Sequence, residues 1–243
     1  KVNAVTLSAA AIYQLQYTSN GPDGASNKYQ VFGGTPELYL GVTYAANGLK
    51  IGLGGEFMSL NPRSLAEAND EMVKVDEQVN SIATQLFAQY SNKNFTVATK
   101  SIYGQNTGHI LMMSGYGYGI NEDGSRYYAP LTQSSTWLTL AYHTARENHN
   151  VRATVLGGYM KNLGANKELE KVWVRGYDNI DQMFRVASIQ YLFKGLVVGV
   201  EYEYTGVMYG TPQANFSVVG DHLVSNHRAY LMLVYNFSYK FFK

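Results

Sequence analysis

The feature that most constrains this chain is a polar–apolar alternation at every second residue, recurring in about ten segments. In the first, Val5, Leu7, Ala9, Ala11, Tyr13, Leu15 and Tyr17 share one phase, while Thr6, Ser8, Gln14 and Gln16 share the other. Successive side chains of a strand point to opposite faces, so such a run predicts a two-faced sheet. Leu38, Leu40, Val42 and Tyr44 repeat it, then Leu49, Ile51, Leu53 and Phe57, then Ile82, Leu86 and Tyr90, then Phe95, Val97 and Tyr103. Later runs carry Val151, Val155 and Tyr159, then Leu196, Val198, Val200, Tyr202 and Tyr204. The clearest, over 228–241, carries Ala229, Leu231, Leu233, Tyr235, Phe237, Tyr239 and Phe241. Two runs are less regular. At 134–144, Trp137 and His143 oppose Leu138, Leu140 and Tyr142, and at 179–192 Arg185 breaks the apolar face and predicts a bulge.

The connections alternate in length. Short turns fall near Asn47, Asn92, Glu147 and Lys194, and Asn47-Gly48 suits a tight hairpin with positive φ. Long connections cover 19–35, 59–80, 105–133, 161–177 and 208–226. Short turns on one rim and long loops on the other are the plan of an outer-membrane barrel. A sheet survives in hydrocarbon only if its backbone groups are paired internally, which favours closure. The expected fold is therefore all-β: one antiparallel, up-and-down transmembrane β-barrel over 1–243, with short periplasmic turns and long extracellular loops. Lys1-Val2-Asn3 shows no secretory leader, which reads either as a removed leader or as a start partway through something longer.

Composition narrows the alternatives. Only 15% of residues are charged and 14% are aromatic, the reverse of a disordered chain. The absence of Cys excludes a disulfide scaffold and a thiolate zinc site. A net charge of +1 without a basic run gives no reason to expect nucleic acid. No stretch of about 18 apolar residues offers a membrane helix. Of the 21 Tyr, Tyr13, Tyr17, Tyr44, Tyr90, Tyr103, Tyr142, Tyr159, Tyr202 and Tyr204 sit at or near strand ends on the apolar phase, as in the aromatic belts of membrane proteins; general β-propensity is the alternative account.

Charges within the runs collect on the opposite phase. Glu37, Lys50, Glu56, Lys100, Arg152, Glu201, Glu203 and Arg228, together with Arg185, are the candidate pore-lining residues. They either cross-link the interior or line a water path and set its electrostatics. No enzyme signature stands beside them. His109, His143, His149, His222 and His227 are scattered, with neither HExxH nor GxSxG spacing, so no metal, cofactor or catalytic residue is assigned. Asp221-His222 reads as a solvated loop pair before half of an acid–base pair, and Glu201/Glu203 as a cation-attracting or Arg-paired wall. Gly115-Tyr116-Gly117-Tyr118-Gly119 is expected to be a flexible loop, within a 105–133 segment that folds inward or meets another protomer. Ser64-Leu65-Ala66-Glu67 fits a capping box and, with Glu71, Asp76 and Glu77 nearby, predicts a short acidic helix in an external loop, a solvated loop being the alternative.

Leu231-Met232-Leu233-Val234-Tyr235-Asn236-Phe237 looks like the terminal strand of outer-membrane barrels. Phe241-Phe242-Lys243 is similar to their assembly signal, with Lys243 added after the aromatic. Val174-Arg175-Gly176-Tyr177-Asp178-Asn179-Ile180-Asp181, Gly199-Val200-Glu201-Tyr202-Glu203-Tyr204-Thr205-Gly206 and Ser225-Asn226-His227-Arg228 resemble the C-terminal part of DcaP-like trimeric porins of Bacteroidetes. That resemblance implies a homotrimer of channels of about sixteen strands passing small hydrophilic solutes or ions. About ten strands here depart from it, and several N-terminal strands would then be missing. The implied setting is a Gram-negative outer membrane, with lipid, lipopolysaccharide and other outer-membrane proteins as neighbours. A closed barrel that docks a partner is the alternative reading, and a rim-active protease or lipase a more distant one.

Overall fold

The structure, a computed structural model, describes residues 4–68, 71–74, 77–146, 149–194, 196–235 and 237. In chain order its first strands are β1 (Val5–Ile12), β2 (Asn20–Gly21) and β3 (Gly24–Ala25), followed by helix α1 (Lys28–Gly33). Then come β4 (Glu37–Ala46), β5 (Leu49–Leu60), β6 (Leu65–Ala68), β7 (Glu71–Lys74), β8 (Val79–Ser91) and β9 (Phe95–Gln105). A 3-10 turn at Thr107–Ile110 leads to β10 (Tyr116–Ile120), β11 (Arg126–Pro130), β12 (Thr132–Arg146) and β13 (His149–Gly164). The chain ends through β14 (Lys171–Trp173), β15 (Ile180–Lys194), β16 (Leu196–Pro212) and β17 (Val218–Tyr235).

Ten of these strands make one antiparallel sheet in the order β1-β4-β5-β8-β9-β12-β13-β15-β16-β17, each next to its sequence neighbour in the sheet. This is the expected all-β, up-and-down arrangement. Among the described residues no pairing joins β1 to β17, so the sheet presents two edges. The last strand is exposed on both phases along nearly its whole length.

The register fixes the faces. Leu7, Val42, Leu53, Leu86, Ser101, Thr136, Tyr159, Phe184, Gly206 and Ser225 lie in one cross-strand row on the outer phase. Leu138, Leu140 and Tyr142 join this phase, which resolves the ambiguous run. Asn47 and Gly48 both take positive φ (50° and 80°), the requirement of the two-residue hairpin between β4 and β5.

Several expectations are corrected. Strand β1 stops at Ile12, because Gln14 turns inward and is buried, its backbone N–H donating to Gln30 Oε1 at 2.7 Å; Tyr13, Leu15 and Tyr17 follow outside the strand. The predicted helix after Ser64 is instead the β6–β7 hairpin, with Leu65 opposite Lys74. The irregularity expected at Arg185 lies between Ile180 and Gln182, and Arg185 stands in regular register opposite Thr205. Residues 208–226 are mostly strand, with only 213–217 connecting β16 to β17. The segment around Tyr116 is ordered: β10 pairs with β11 and β14 in a three-stranded sheet. Phe241-Phe242-Lys243 lies outside the described residues.

The packed core sits at the long-loop end. Tyr29, Met58, Leu60, Val79 and Tyr116 are buried together, with Tyr128 and Trp173 against them. Arg63 grips Glu77 beside this cluster through Nε and Nη2, at 2.6 and 2.7 Å. A second cluster, Ala129, Leu131, Ala165 and Leu169, ties β11 to the segments that follow β13. Loops and short strands therefore form a cap over one end of the sheet.

Candidate functional site

The inner phase holds two constellations of charge. The first is built where the 3-10 turn folds back on the inner wall. Positive φ at Asn106 (51°) and Leu111 (68°) reverses the chain on either side of the turn. Thr107 N–H donates to Ser114 Oγ at 2.9 Å, and Asn106 N–H to the Leu131 carbonyl at 3.0 Å. Gly108 lies so close that a Cβ there would stand 2.8 Å from the Ser114 carbonyl oxygen, while Arg175 Nε donates to the Gly108 carbonyl at 3.1 Å. These contacts drive His109 between two carboxylates, with Nε2 3.2 Å from Glu37 Oε2 and 3.4 Å from Glu56 Oε1.

His109 and Glu37 are buried, their side chains 5% and 6% exposed, and Glu56 is 18% exposed. Burial disfavours a charged ring, but the adjoining carboxylates of Glu37 and Glu56 outweigh it and raise the His109 pKa to about 9. Glu37 was expected on the pore wall; here the turn covers it. A recess of about 320 Å³ opens beside Glu56 and is bordered by Tyr39, Gln85, Lys100, Ile110 and Met112.

The second constellation spans β15, β16 and β17. Glu203 stands between Arg185 (3.1 Å) and Arg228 (3.2 Å), and Arg228 also reaches Glu201 at 3.7 Å. The guanidinium of Arg228 lies over the Tyr230 ring, 4.5 Å from its centroid. Four of the nine predicted residues thus form one ionic ladder, and two more flank His109. The remaining three, Lys50, Lys100 and Arg152, take part in no ion pair among the described residues; Lys50 lies over the Phe87 ring at 5.4 Å. The inner wall is not uniformly polar: Trp137, Leu156, Met160 and Met183 line a recess of about 480 Å³ that also meets Arg185 and Thr205.

The sequence gives no local sign of the role of His109. Its partners come from β4 and β5, remote in the chain, and only the return of the turn unites them. Asp221 and His222 belong to β17 rather than to a loop, with His222 opposite Tyr209. The ladder is suited to electrostatic filtering, and the His109 cluster to holding a proton or a cation. Comparison with known families, curated proteins and solved structures gives no match for this chain.

Proposed function

We propose that this chain forms the wall of an outer-membrane β-barrel channel for passive diffusion of small hydrophilic solutes or ions. One observation carries the reading: the treatment of polar groups on the outer phase. Through the middle of the ten strands, the outer phase carries no Asp, Glu, Lys or Arg among the described residues; Asp221 and Lys161 fall toward the long-loop end and Arg146 and Lys194 at the short-turn end. Lys161 stands at the long-loop end, where it donates to Asp181 at 2.5 Å.

Five pairings satisfy hydroxyls on this phase within the sheet. Thr99 Oγ1 donates to the Trp137 carbonyl at 2.8 Å, Thr84 Oγ1 to the Tyr103 carbonyl at 3.2 Å, and Ser101 and Thr136 bond to each other at 2.9 Å. Tyr159 donates to Gln182 at 2.6 Å, and Tyr202 bonds to His227 at 2.7 Å. A face turned to water has no need of such pairing, whereas a face turned to hydrocarbon does. Charges facing the other way are the complement of a water-filled interior. In this reading the segment from Thr107 to Leu131 narrows the interior at the extracellular end. The resemblance to trimeric porins adds a homotrimer as the expected assembly.

Reconstitution into planar bilayers tests the proposal. Stepwise ohmic conductance from purified protein is the expected result. Protein shown to be inserted that gives no current would overturn it in favour of the closed, partner-docking barrel, which the buried aromatic cap at the loop end otherwise favours.

A further inference from the structure

We propose that Glu37, Glu56 and His109 form a binding site for one divalent transition-metal ion, with zinc as the fitting occupant. The arrangement of the imidazole is the first argument. His109 Nδ1 lies 3.3 Å from the Asn106 carbonyl oxygen, an acceptor. A proton on Nδ1 satisfies that contact, and it leaves the Nε2 lone pair pointing at two carboxylates. Metal-bound histidines use this same device, the distal N–H donating to a backbone carbonyl while the other nitrogen ligates.

Unmet valence is the second argument. Glu37 Oε2 and His109 Nε2 are both buried, and neither completes a hydrogen bond among the described residues. Buried polar atoms of this kind call for a partner. With Nε2 free of its proton, as ligation requires, the two carboxylates leave two negative charges in a largely buried site. A proton on the ring removes one of them, whereas a divalent ion removes both.

Geometry is the third argument. The candidate ligand atoms of the three residues lie within 4.8 Å of one another. Metal–ligand bonds of about 2.0–2.1 Å in tetrahedral coordination place neighbouring ligands about 3.3–3.4 Å apart. The two distances from Nε2, 3.2 and 3.4 Å, fall at that separation. Two oxygens and one nitrogen without thiolate suit zinc among the first-row ions, and a fourth position would be left to water. The recess beside Glu56 provides the approach. Bound there, the ion joins the 3-10 turn to two adjacent strands.

The site stands independently of channel activity, so its test uses binding alone. Full-length protein in detergent is stripped with chelator, loaded with zinc, freed of excess metal and analysed for metal content. One zinc per chain is expected, with affinity falling more than about tenfold in Glu56→Gln and in His109→Gln. Little zinc at saturation, or unchanged affinity in both variants, overturns the proposal. Cobalt(II) added to the unsubstituted protein gives a second readout that does not depend on variants folding. Intense visible absorption of a four-coordinate centre supports the site, and the weak spectrum of the hydrated ion overturns it.

Discussion

Glu203 faces Arg228 directly across the β16–β17 ladder, and their charged atoms approach to 3.2 Å. The same carboxylate meets Arg185 on the other side, so one anion serves two cations. Both guanidinium groups are about half exposed, which limits the pair's contribution to stability to about 1 kcal/mol or less. Their effect falls instead on the local potential. Arg228→Glu is expected to shift ion preference toward cations, and Glu203→Gln toward anions, read as opposite displacements of the reversal potential across a salt gradient. Unchanged potentials in both variants would remove the ladder from the conduction path.

The outer phase makes a separate prediction about phase itself. Leu40 is 68% exposed on that face, while its neighbour Tyr39 turns inward. Leu40→Arg is expected to cost about 2–4 kcal/mol of folding free energy in a bilayer if it lies at mid-depth. Gln89→Arg, on the inner phase beside Lys50, should cost far less. Denaturant unfolding from lipid vesicles compares them, and equal costs would contradict the assignment of faces.

Acid should loosen the cap through Glu77. Burial works against its charge, yet the bidentate hydrogen bonds from Arg63 hold its carboxyl below the ordinary value. A folded-state pKa below the unfolded one means that the unfolded cap binds the proton more readily. The stabilisation is thus complete above the unfolded carboxyl's pKa and is lost as pH falls through the depressed folded one. Trp173 packs against Tyr128 nearby, with ring centroids 6.4 Å apart, and reports the change by fluorescence in a Trp137→Phe background. Glu77→Gln should remove this acid transition; an unaltered transition would assign it elsewhere.

Tyr116 is fully buried in the cap between Tyr128 and Trp173. Its truncation in Tyr116→Ala removes packing worth about 3–5 kcal/mol for a large buried aromatic. Hydrogen exchange should show the loss in β10, β11 and β14, with little change in β12, β13 and β15. Uniform destabilisation would mean that the cap and the large sheet unfold together.

The sheet was legible because its information is local. An alternation such as Leu38, Leu40, Val42, Tyr44 names a face without reference to any other segment, and Asn47-Gly48 names its own turn. The capping-box pattern at Ser64 misled for the same reason. Four residues, Leu65–Ala68, leave no room to repay helix nucleation, and pairing with β7 satisfies their backbone at once. The His109 cluster was illegible because its geometry depends on where a long connection comes to rest. Nothing around His109 announces Glu37 or Glu56; Gly108 and Ser114 do so only after the turn has closed.

Among the described residues β1 and β17 are the two unpaired margins of the large sheet, and this has a thermodynamic consequence. In water their free amides and carbonyls are solvated at little cost; in hydrocarbon each unsatisfied group costs several kcal/mol. The penalty accumulates along β17, which runs from Val218 to Tyr235. The surrounding medium would therefore act as a ligand of the fold: aqueous surroundings tolerate a ribbon with loose margins, while lipid selects the state in which both margins have found hydrogen-bonding company.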